Sequence, residues 1–271
     1  MKVNHKVILN LIGQLLFTTS IVVNSNSASA FNLSFGSINF DGFTGSGFQS
    51  TPTTGQLDSD DWAISGFSDG SFNFGGTGTS GDFARGTSDG GVITGGIYSF
   101  DVGGGNSTLG VQPTGGDFTP GAITLKLTND TSNTIVELAI SYSVYVYNDI
   151  TRSNSFNFSY SDDDINYTSV PSLDLASLEA ADNIPSWVEN SRNTTLTGLN
   201  IASGSDFYLR WEGDDISGSQ NRDQFALDDI TFTPVPWEFS PSLGLVCVGM
   251  IWLISFLYKR SRFRRDLSKK N

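Results

Sequence analysis

Cysteine and histidine are almost absent from this chain: of 271 residues, only Cys247 and His5 carry a thiol or an imidazole. Both lie in terminal segments that have the composition of targeting signals, so the body between them has neither side chain. A Ser-His-Asp or Cys-His nucleophilic centre, a zinc site with the usual ligands and a disulfide framework each need one of the two. These three kinds of site are therefore excluded from the body.

Charged and hydrophobic residues are also scarce, at 16% and 38% of the chain, whereas glycine (30 residues) and phenylalanine (20 residues) are abundant. This is not the composition of a helical bundle. Between residues 31 and 234 lie 26 of the 28 acidic residues but six of the 15 basic ones, which leaves a net charge of −20. A field of that sign repels phosphate backbones and attracts cations, so nucleic-acid binding is disfavoured.

The first 30 residues have the layout of a secretory signal peptide. Two lysines precede an apolar stretch at 7–23, and Ala28-Ser29-Ala30 supplies the small residues that a signal peptidase accepts. We therefore predict a signal peptide at 1–30 and a mature chain that begins near Phe31. The alternative is an amphipathic first helix of the domain, which would need more polar residues at helical spacing.

The C-terminal end combines an uncharged apolar run with a basic cluster. Residues 239–258 carry no charge and approach the ~20 residues that cross a bilayer as a helix. Five cations follow within 259–265, and flanking cations hold their end on the cytoplasmic side. The pattern predicts a transmembrane helix at 239–258, a cytoplasmic tail end at 266–271 and a body outside the membrane. A buried core helix is the alternative, but the five cations could not follow it into a core.

Just before this run stands the heptapeptide Val235-Pro236-Trp237-Glu238-Phe239-Ser240-Pro241. The order of short motif, apolar helix and Arg-rich end over 234–265 resembles the Pro-Glu-Pro C-terminal sorting signals (PEP-CTERM), in their cyanobacterial-type variant. The resemblance implies recognition of Pro236, Glu238 and Pro241 by an exosortase, a membrane transpeptidase. That enzyme would remove the tail and pass a transiently anchored body to the cell surface or extracellular matrix. An ordinary single-pass anchor, and hence a permanently anchored adhesin, is the alternative.

Alternation of apolar and polar residues at period two dominates the segment between the signals. The longest run is 136–147, and similar runs cover 123–127, 156–160 and 207–211. Each is typical of a strand with one buried and one solvated face, and the Gly, Asn, Asp and Ser clusters between them favour turns. We therefore predict one all-β domain at 31–233, an antiparallel β-sandwich of the jelly-roll type.

The segment 42–116 is rich in glycine and poor in apolar residues, but aromatic residues recur through it. We expect it to be folded and loop-rich, with partial flexibility as the alternative. The pattern predicts strands at 62–64, 72–74, 82–85 and 97–100. The only segment of the body that favours a helical turn is 175–181.

Asp228 lies in phase with Ala226, Ile230 and Phe232 in a predicted strand near the end of the body. If the strand pairs regularly, an ionised carboxylate points toward the core, where it needs a cation or several donors. A metal ion or an arginine is then required. The alternative is a bulge at Asp228 and Asp229 that turns both carboxylates outward.

This Ala-Leu-Asp-Asp-Ile strand, together with 40–43, 60–62 and 208–211, is similar to the pattern of concanavalin-like and MAM-type jelly rolls. The resemblance implies that the first and last strands lie side by side and that Asp41, Asp60 and Asp228 hold a structural Ca²⁺ near them. Hard carboxylate and carbonyl oxygens on loops are the ligands that Ca²⁺ prefers. A solvated acidic coat, which needs no metal, is the alternative for most of the aspartates.

Three tyrosines are candidates for contact with glycan. Tyr145 and Tyr147 occupy the polar face of one predicted strand, and Tyr208 occupies the polar face of another. Exposed aromatic surfaces stack on sugar rings, so we predict these residues as glycan contacts. They could instead face the interior of a second, curved layer.

The sequence as a whole predicts a non-catalytic secreted protein of the cell surface or extracellular matrix, structural or glycan-binding. Its predicted partners are an exosortase-type transpeptidase and extracellular polysaccharide, and Ca²⁺ would contribute stability. The alternative is a polysaccharide-active hydrolase with an Asp/Glu pair, since glycosidic cleavage needs no histidine. No pair of carboxylates stands out by its spacing.

Overall fold

The computed structural model describes residues 31–34, 36–218 and 220–235 of the chain. The predicted signal peptide, sorting motif and transmembrane helix lie outside these residues, so Pro236, Glu238 and Pro241 stay predictions. In the described ranges no helix is both long enough and apolar enough to cross a membrane. The strands of these ranges are β1 (Phe31–Asn32), β2 (Ser37–Ile38), β3 (Phe48–Gln49), β4 (Leu57–Asp58), β5 (Trp62–Phe67), β6 (Gly70–Phe72), β7 (Thr87–Ser88), β8 (Gly96–Asp101), β9 (Ser107–Gln112), β10 (Gly121–Thr128), β11 (Ile135–Tyr147), β12 (Ser155–Ser161), β13 (Thr168–Ser169), β14 (Leu175–Ala176), β15 (Trp187–Ile201), β16 (Asp206–Gly213) and β17 (Gln224–Pro234).

Most of these strands belong to two large sheets. Sheet A has the order β13-β12-β16-β10-β5-β6, with β1 beside β10 and β14 beside β12. Sheet B has the order β15-β11-β17-β9-β8-β7, with β2 beside β17. The long neighbours are antiparallel, and parallel pairing is found in the short contacts of β1 with β10, β3 with β4 and β7 with β8. The resemblance implies that the first and last strands are neighbours, but β1 lies beside β10 in sheet A, and the early strand beside β17 is β2.

The two sheets face each other across one apolar core. The ring of Trp211 in sheet A meets Tyr142 of sheet B edge-on at 5.5 Å, and Phe156 stacks on Phe225 at 5.2 Å. The apolar residues of the predicted runs 123–127 and 207–211 are all buried. Sheets whose inner faces interdigitate in this way form a β-sandwich. The prediction of an all-β sandwich is confirmed for the described part of the body.

The alternation predicted for β11 fails at its start. Val136 is 40% exposed, whereas Ile135 is 5% exposed and lies in the core. The reason is a shift in the register of β11 against β15 between Ile135 and Glu137. A bulge of this kind moves every preceding side chain to the other face of the sheet.

Two other local predictions are wrong. The segment 82–85 is not a strand. Gly81–Phe83 instead forms a 3₁₀ turn, in which the backbone N–H of Ala84 donates a hydrogen bond to the carbonyl oxygen of Gly81. The segment 175–181 contains no helical turn, because Leu175–Ala176 pairs with β12 as a strand. A 3₁₀ turn occurs earlier, at Pro171–Leu173, where the fixed φ of proline favours a helical start.

Candidate functional site

The last strand, β17, has a bulge at its centre. The register of β11 against β17 shifts between Ser141 and Ser143, so Asp229 and Ile230 together oppose one residue of β11. Asp229 has a φ of 48°, in the left-handed region that non-glycine residues seldom adopt. Side chains on the two halves of β17 therefore alternate in opposite phase.

This bulge decides where Asp228 lies. Ile230 and Phe232 are in the core as predicted, but Ala226 belongs to a second cluster on the other face of sheet B. Asp228 shares the face of Ala226, so the expectation that it points into the core is wrong. The alternative, a bulge that turns both carboxylates away from the core, is confirmed, although Asp228 is 1% exposed on the outer face whereas Asp229 is exposed to solvent.

The carboxylate of Asp228 is only partly satisfied. Its Oδ2 accepts a hydrogen bond of 3.0 Å from Asn106 Nδ2, and its Oδ1 has no hydrogen-bond partner among the described residues. Burial raises the pKa of Asp228, and the charges of Asp229 and Asp41 add to the rise. A cation beside Oδ1 would therefore stabilise the ionised form.

The structure does not bring the three predicted calcium ligands together. Asp41 is exposed and close enough to Asp228 to affect its pKa. Asp60 belongs to a turn with Asp58, whose Oδ1 accepts the backbone N–H of Asp60 at 2.9 Å, and with Asp61. Within the described ranges no group of three or more His, Cys, Asp or Glu side chains could hold a metal ion. Asp41 and Asp228 remain as a pair, and calcium binding stays a prediction.

Aromatic side chains form a cluster on the outer face of sheet B, which is turned away from the core. Tyr98 and Phe100 stack at 5.1 Å, and Trp187 lies 4.9 Å from Phe100 and 5.2 Å from Tyr147. Tyr147 and Trp187 are direct cross-strand partners of β11 and β15, a position in which ring pairs stabilise a sheet. Tyr145 packs against the same group. We call these five residues the outer aromatic cluster.

A groove of about 490 Å³ opens beside Tyr147 and Trp187, with Asp89, Asp101 and Gly103 at its edges. The indole N–H of Trp187 donates to the carbonyl oxygen of Asp89 at 2.9 Å, which fixes the ring. Asp101 Oδ1 accepts the backbone N–H of Gly103 at 2.8 Å, which holds the neighbouring loop. The groove thus combines a wall of two aromatic rings, inclined at 55° to each other, with carboxylates that can accept hydrogen bonds, as ligand sites do.

The three predicted tyrosines lie on two different faces. Tyr147 lines the groove, whereas Tyr145 is packed into the outer aromatic cluster, where burial raises its pKa. Tyr208 is on the outer face of sheet A, where its ring lies 5.7 Å from that of Phe74, and Lys126 Nζ lies 5.0 Å from the centre of the Phe74 ring. One binding site therefore cannot contain all three.

Sequence reasoning missed Trp187. Strand β15 is largely polar and exposed, so it shows no clear period-two pattern that would have predicted it. The available signal was a tryptophan directly after Pro185-Ser186, in a stretch with few other apolar residues. A large aromatic residue that does not belong to a core pattern is a candidate contact residue.

The carboxylates with strongly raised pKa values do not suit a glycosidase. Burial raises the pKa of Asp61 to about 7 and that of Asp223 to about 6, the range of a general acid. The two residues are only 4% and 0% exposed. A general acid has to reach the glycosidic oxygen, so neither side chain fits that role as placed here.

Comparison with known proteins gives a distant structural likeness. No protein-family model matches the chain, and no curated protein matches it. A carbohydrate-binding module specific for non-crystalline cellulose is similar at 9% identity and a TM-score of 0.35, covering 51% of this chain and 80% of the module.

The CBM22-1 xylan-binding domain of Paenibacillus barcinonensis Xyn10C is similar at 13% identity and a TM-score of 0.31, over 53% of this chain and 81% of the domain. The K3 cleaved adhesin domain of Lys-gingipain from Porphyromonas gingivalis w83 is similar at 12% identity and a TM-score of 0.33, covering 50% of this chain and 79% of the domain. These identities and TM-scores are too low to transfer a function, so the function has to be inferred from the surface of the chain itself.

Proposed function

We propose that this chain is a non-catalytic, secreted surface or extracellular-matrix protein that binds glycan in the groove beside Tyr147 and Trp187. The observation that carries the proposal is the pair of cross-strand rings 5.2 Å apart, next to the carboxylates of Asp89 and Asp101. Ring faces can cover the apolar face of a sugar while carboxylates accept hydrogen bonds from its hydroxyl groups. The groove volume of about 490 Å³ is in the usual range for ligand sites.

The negative charge of the body favours neutral glycans over acidic ones as the ligand. A net charge of −20 over residues 31–234, with two carboxylates at the groove itself, repels uronic acids and sulfated sugars. The ligand is therefore a neutral polysaccharide.

The export route is part of the same proposal. A signal peptide at 1–30 sends the body across the membrane, and the helix at 239–258 anchors it transiently. An exosortase-type transpeptidase recognises Pro236, Glu238 and Pro241 and removes the tail. The sequence order of motif, apolar run and basic end supports this route.

A structural Ca²⁺ near Asp41 and Asp228 also belongs to the proposal. Its support is the buried Oδ1 of Asp228, which has no hydrogen-bond partner among the described residues. Two carboxylates supply fewer oxygens than the six to eight that Ca²⁺ takes, so backbone oxygens and water would complete the shell.

The binding proposal is tested with the full chain in detergent on an array of neutral and acidic polysaccharides. We expect retention on neutral glycans, and a loss of at least about tenfold in affinity for Trp187→Ala and for Tyr147→Ala, which corresponds to about 1.4 kcal/mol. Tyr208→Ala on the opposite sheet is the matched control and should bind as the wild type does.

Three results would contradict the proposal. One is unchanged binding by Trp187→Ala, and another is loss of binding by Tyr208→Ala alone, which would move the site to sheet A. The third is the appearance of new reducing ends during incubation, which would identify a hydrolase. Circular dichroism of each variant shows whether the sandwich is intact.

A further inference from the structure

The first described residues are held firmly on sheet A. Phe31 pairs with Leu127 of β10, and its ring packs against the core. Leu33 is fully buried, and its backbone N–H donates to the carbonyl oxygen of Thr128 at 2.9 Å. The chain is therefore held in place at Phe31 and at Leu33.

A buried carboxylate faces the nitrogen of Phe31. The backbone N–H of Phe31 donates to Asp61 Oδ1 at 3.1 Å, and Asp61 is 4% exposed. The charged groups around Asp61 are Asp58, Asp60 and Lys126, so two of its three neighbours are acidic. Burial, followed by the charge of Asp58, raises the pKa of Asp61 to about 7 while Phe31 is in a peptide bond. A buried carboxylate in such surroundings lacks a direct cationic partner.

We infer that Asp61 receives the α-ammonium group that removal of the signal peptide creates at Phe31. The inference rests on the export route of the proposed function. The covalent step is hydrolysis by a signal peptidase: water adds across the Ala30–Phe31 peptide bond, Ala30 leaves as a carboxylate and Phe31 keeps a protonated amine. The neutral donor that now lies 3.1 Å from Asp61 Oδ1 becomes a cationic donor at the same place. Charge-assisted hydrogen bonds are about twice as strong as neutral ones.

The position of cleavage decides whether the pair forms. A chain that retains Ala30 has a neutral amide at the nitrogen of Phe31, and a chain that begins at Asn32 lacks this nitrogen. Because Phe31 is already held in register by β10, its new terminus needs no rearrangement to meet Asp61. The ion pair with Asp61 therefore forms only when the chain has been cleaved between Ala30 and Phe31.

The pair also changes how stability depends on pH. With Ala30 attached, folded Asp61 binds its proton more tightly than unfolded Asp61, so stability falls as pH rises from 3.8 to about 7. In the cleaved chain, the α-ammonium has an unfolded pKa of about 7.7–8.0 that Asp61 raises. Its contribution requires ionised Asp61, is largest just below that range and is lost as pH rises through the folded pKa of the amine. The stability of the cleaved chain should therefore exceed that of the chain with Ala30 most clearly near pH 7.

The experiment compares two chains purified in detergent, one from Phe31 to Asn271 and one that also retains Ala30. At pH 7 the chain with Ala30 should melt about 4 °C lower. Asp61→Asn should abolish this difference, whereas Asp60→Asn, a change in the same turn, should leave it. Equal melting temperatures of the two chains, or a difference that survives Asp61→Asn, would overturn the inference.

Two further measurements test the inference even if Asp61→Asn does not fold. They also distinguish its failure from a failure of the proposed function. Acetylation of the Phe31 amine removes the charge without adding a residue, and it should lower the melting temperature as Ala30 does. The N-terminal sequence of the protein exported by a bacterial host should begin at Phe31. Any other first residue would overturn the inference and leave the glycan groove untouched, while a loss of glycan binding would overturn the groove alone.

Discussion

Asp82 shows what a buried carboxylate needs at the scale of a single residue. It is 1% exposed and accepts hydrogen bonds from Ser68 Oγ at 2.7 Å, from the backbone N–H of Asp69 at 2.7 Å and from Arg85 at 2.5 Å. Burial alone would raise its pKa, but these hydrogen bonds and the charge of Arg85 hold the pKa of Asp82 below its ordinary value. Asp228 accepts a hydrogen bond from Asn106 but has no arginine beside it among the described residues, and burial together with the charges of Asp229 and Asp41 raises its pKa instead.

Asp82→Ala should lower the free energy of unfolding by about 3 kcal/mol, because it leaves Arg85 and two donors without their partner. Urea denaturation at pH 7 measures the change. Asp162→Ala, at an exposed carboxylate, is the control and should stay within about 0.5 kcal/mol. The stability from ionised Asp82 is present above pH 3.8 and is lost as pH falls through its lower folded pKa, so the deficit should shrink in acid.

Asp228→Asn should have the opposite pH dependence. Since burial raises the pKa of Asp228, wild-type stability in chelator should fall as pH rises through that raised value, and the asparagine variant should not show this fall. Thermal melts at pH 4 to 8 with EDTA measure the effect. Added Ca²⁺ should restore the wild type at pH 8 and leave the variant unchanged, and equal responses of the two proteins to Ca²⁺ would contradict the calcium proposal.

Single-residue positions could be predicted from the sequence where one strand's alternation decides them. Tyr147 lies on the outer face as the run 136–147 predicts. Its neighbour Trp187 could not be predicted, because the pairing of β11 with β15 depends on contacts distant in sequence. That Asp41, Asp60 and Asp228 do not form one metal-binding group likewise follows from which turns the sheets bring together.

At the scale of elements, bulges cause the differences between the observed strands and those expected from unbroken alternation. Period-two alternation assumes an unbroken ladder, and the ladder of β11 is broken once on each side, beside Glu137 and beside Asp229. Each break reverses the face of the residues beyond it. The bulge in β17 places Asp228 in the outer layer, and the sequence signal for it is the change of parity from Phe225 and Leu227 to Ile230 and Phe232, all of which are core residues.

Asp229→Val should lower the free energy of unfolding by roughly 1–3 kcal/mol, because a β-branched residue is strained at the φ of 48°. Asp229→Gly should be neutral or stabilising, since glycine adopts this φ freely. Urea midpoints report both changes, with Thr233→Val at an exposed position of the same strand as the control. Equal destabilisation by valine and glycine would show that the carboxylate matters and the backbone does not.

Gly110 allows β9 to pass beneath the outer aromatic cluster. A Cβ at this position would lie 2.0 Å from Phe100 Cδ2, so Gly110→Ala has to displace the ring that supports Trp187. We expect a loss of roughly 1–3 kcal/mol in stability and weaker glycan binding. Gly42→Ala, where nothing lies within 4 Å of the added Cβ, is the matched control for chemical denaturation and array binding.

At the scale of the whole molecule, the all-β class and the two-sheet sandwich could be predicted from the sequence. The buried runs 123–127 and 207–211 carry that prediction, because each strand's apolar face needs a second sheet to cover it. The order of strands within the sheets could not be predicted, since it is set by long-range pairing. Composition also excluded the usual nucleophilic centres, a conclusion that needs no structure.

The net charge of −20 predicts a response to salt. Carboxylates that repel one another destabilise the compact state, and screening by salt weakens this repulsion. Raising NaCl from about 10 mM to about 500 mM should therefore raise the melting temperature by a few degrees, and KCl should act equally. A lower melting temperature in salt would mean that ion pairs such as Arg222 with Asp215 dominate the electrostatics.

Strand β17 runs the length of sheet B and has a different neighbourhood at each end. Its first residue, Gln224, lies opposite Tyr147 at the groove, and its last, Pro234, lies opposite Leu138. Ten steps of an extended strand separate these ends by about 33 Å. The point where the described chain leaves sheet B, after Pro234, is therefore distal to the groove. Under the proposed export route, a molecule held by this end would keep the groove at the far end of β17, within reach of polymer in the medium.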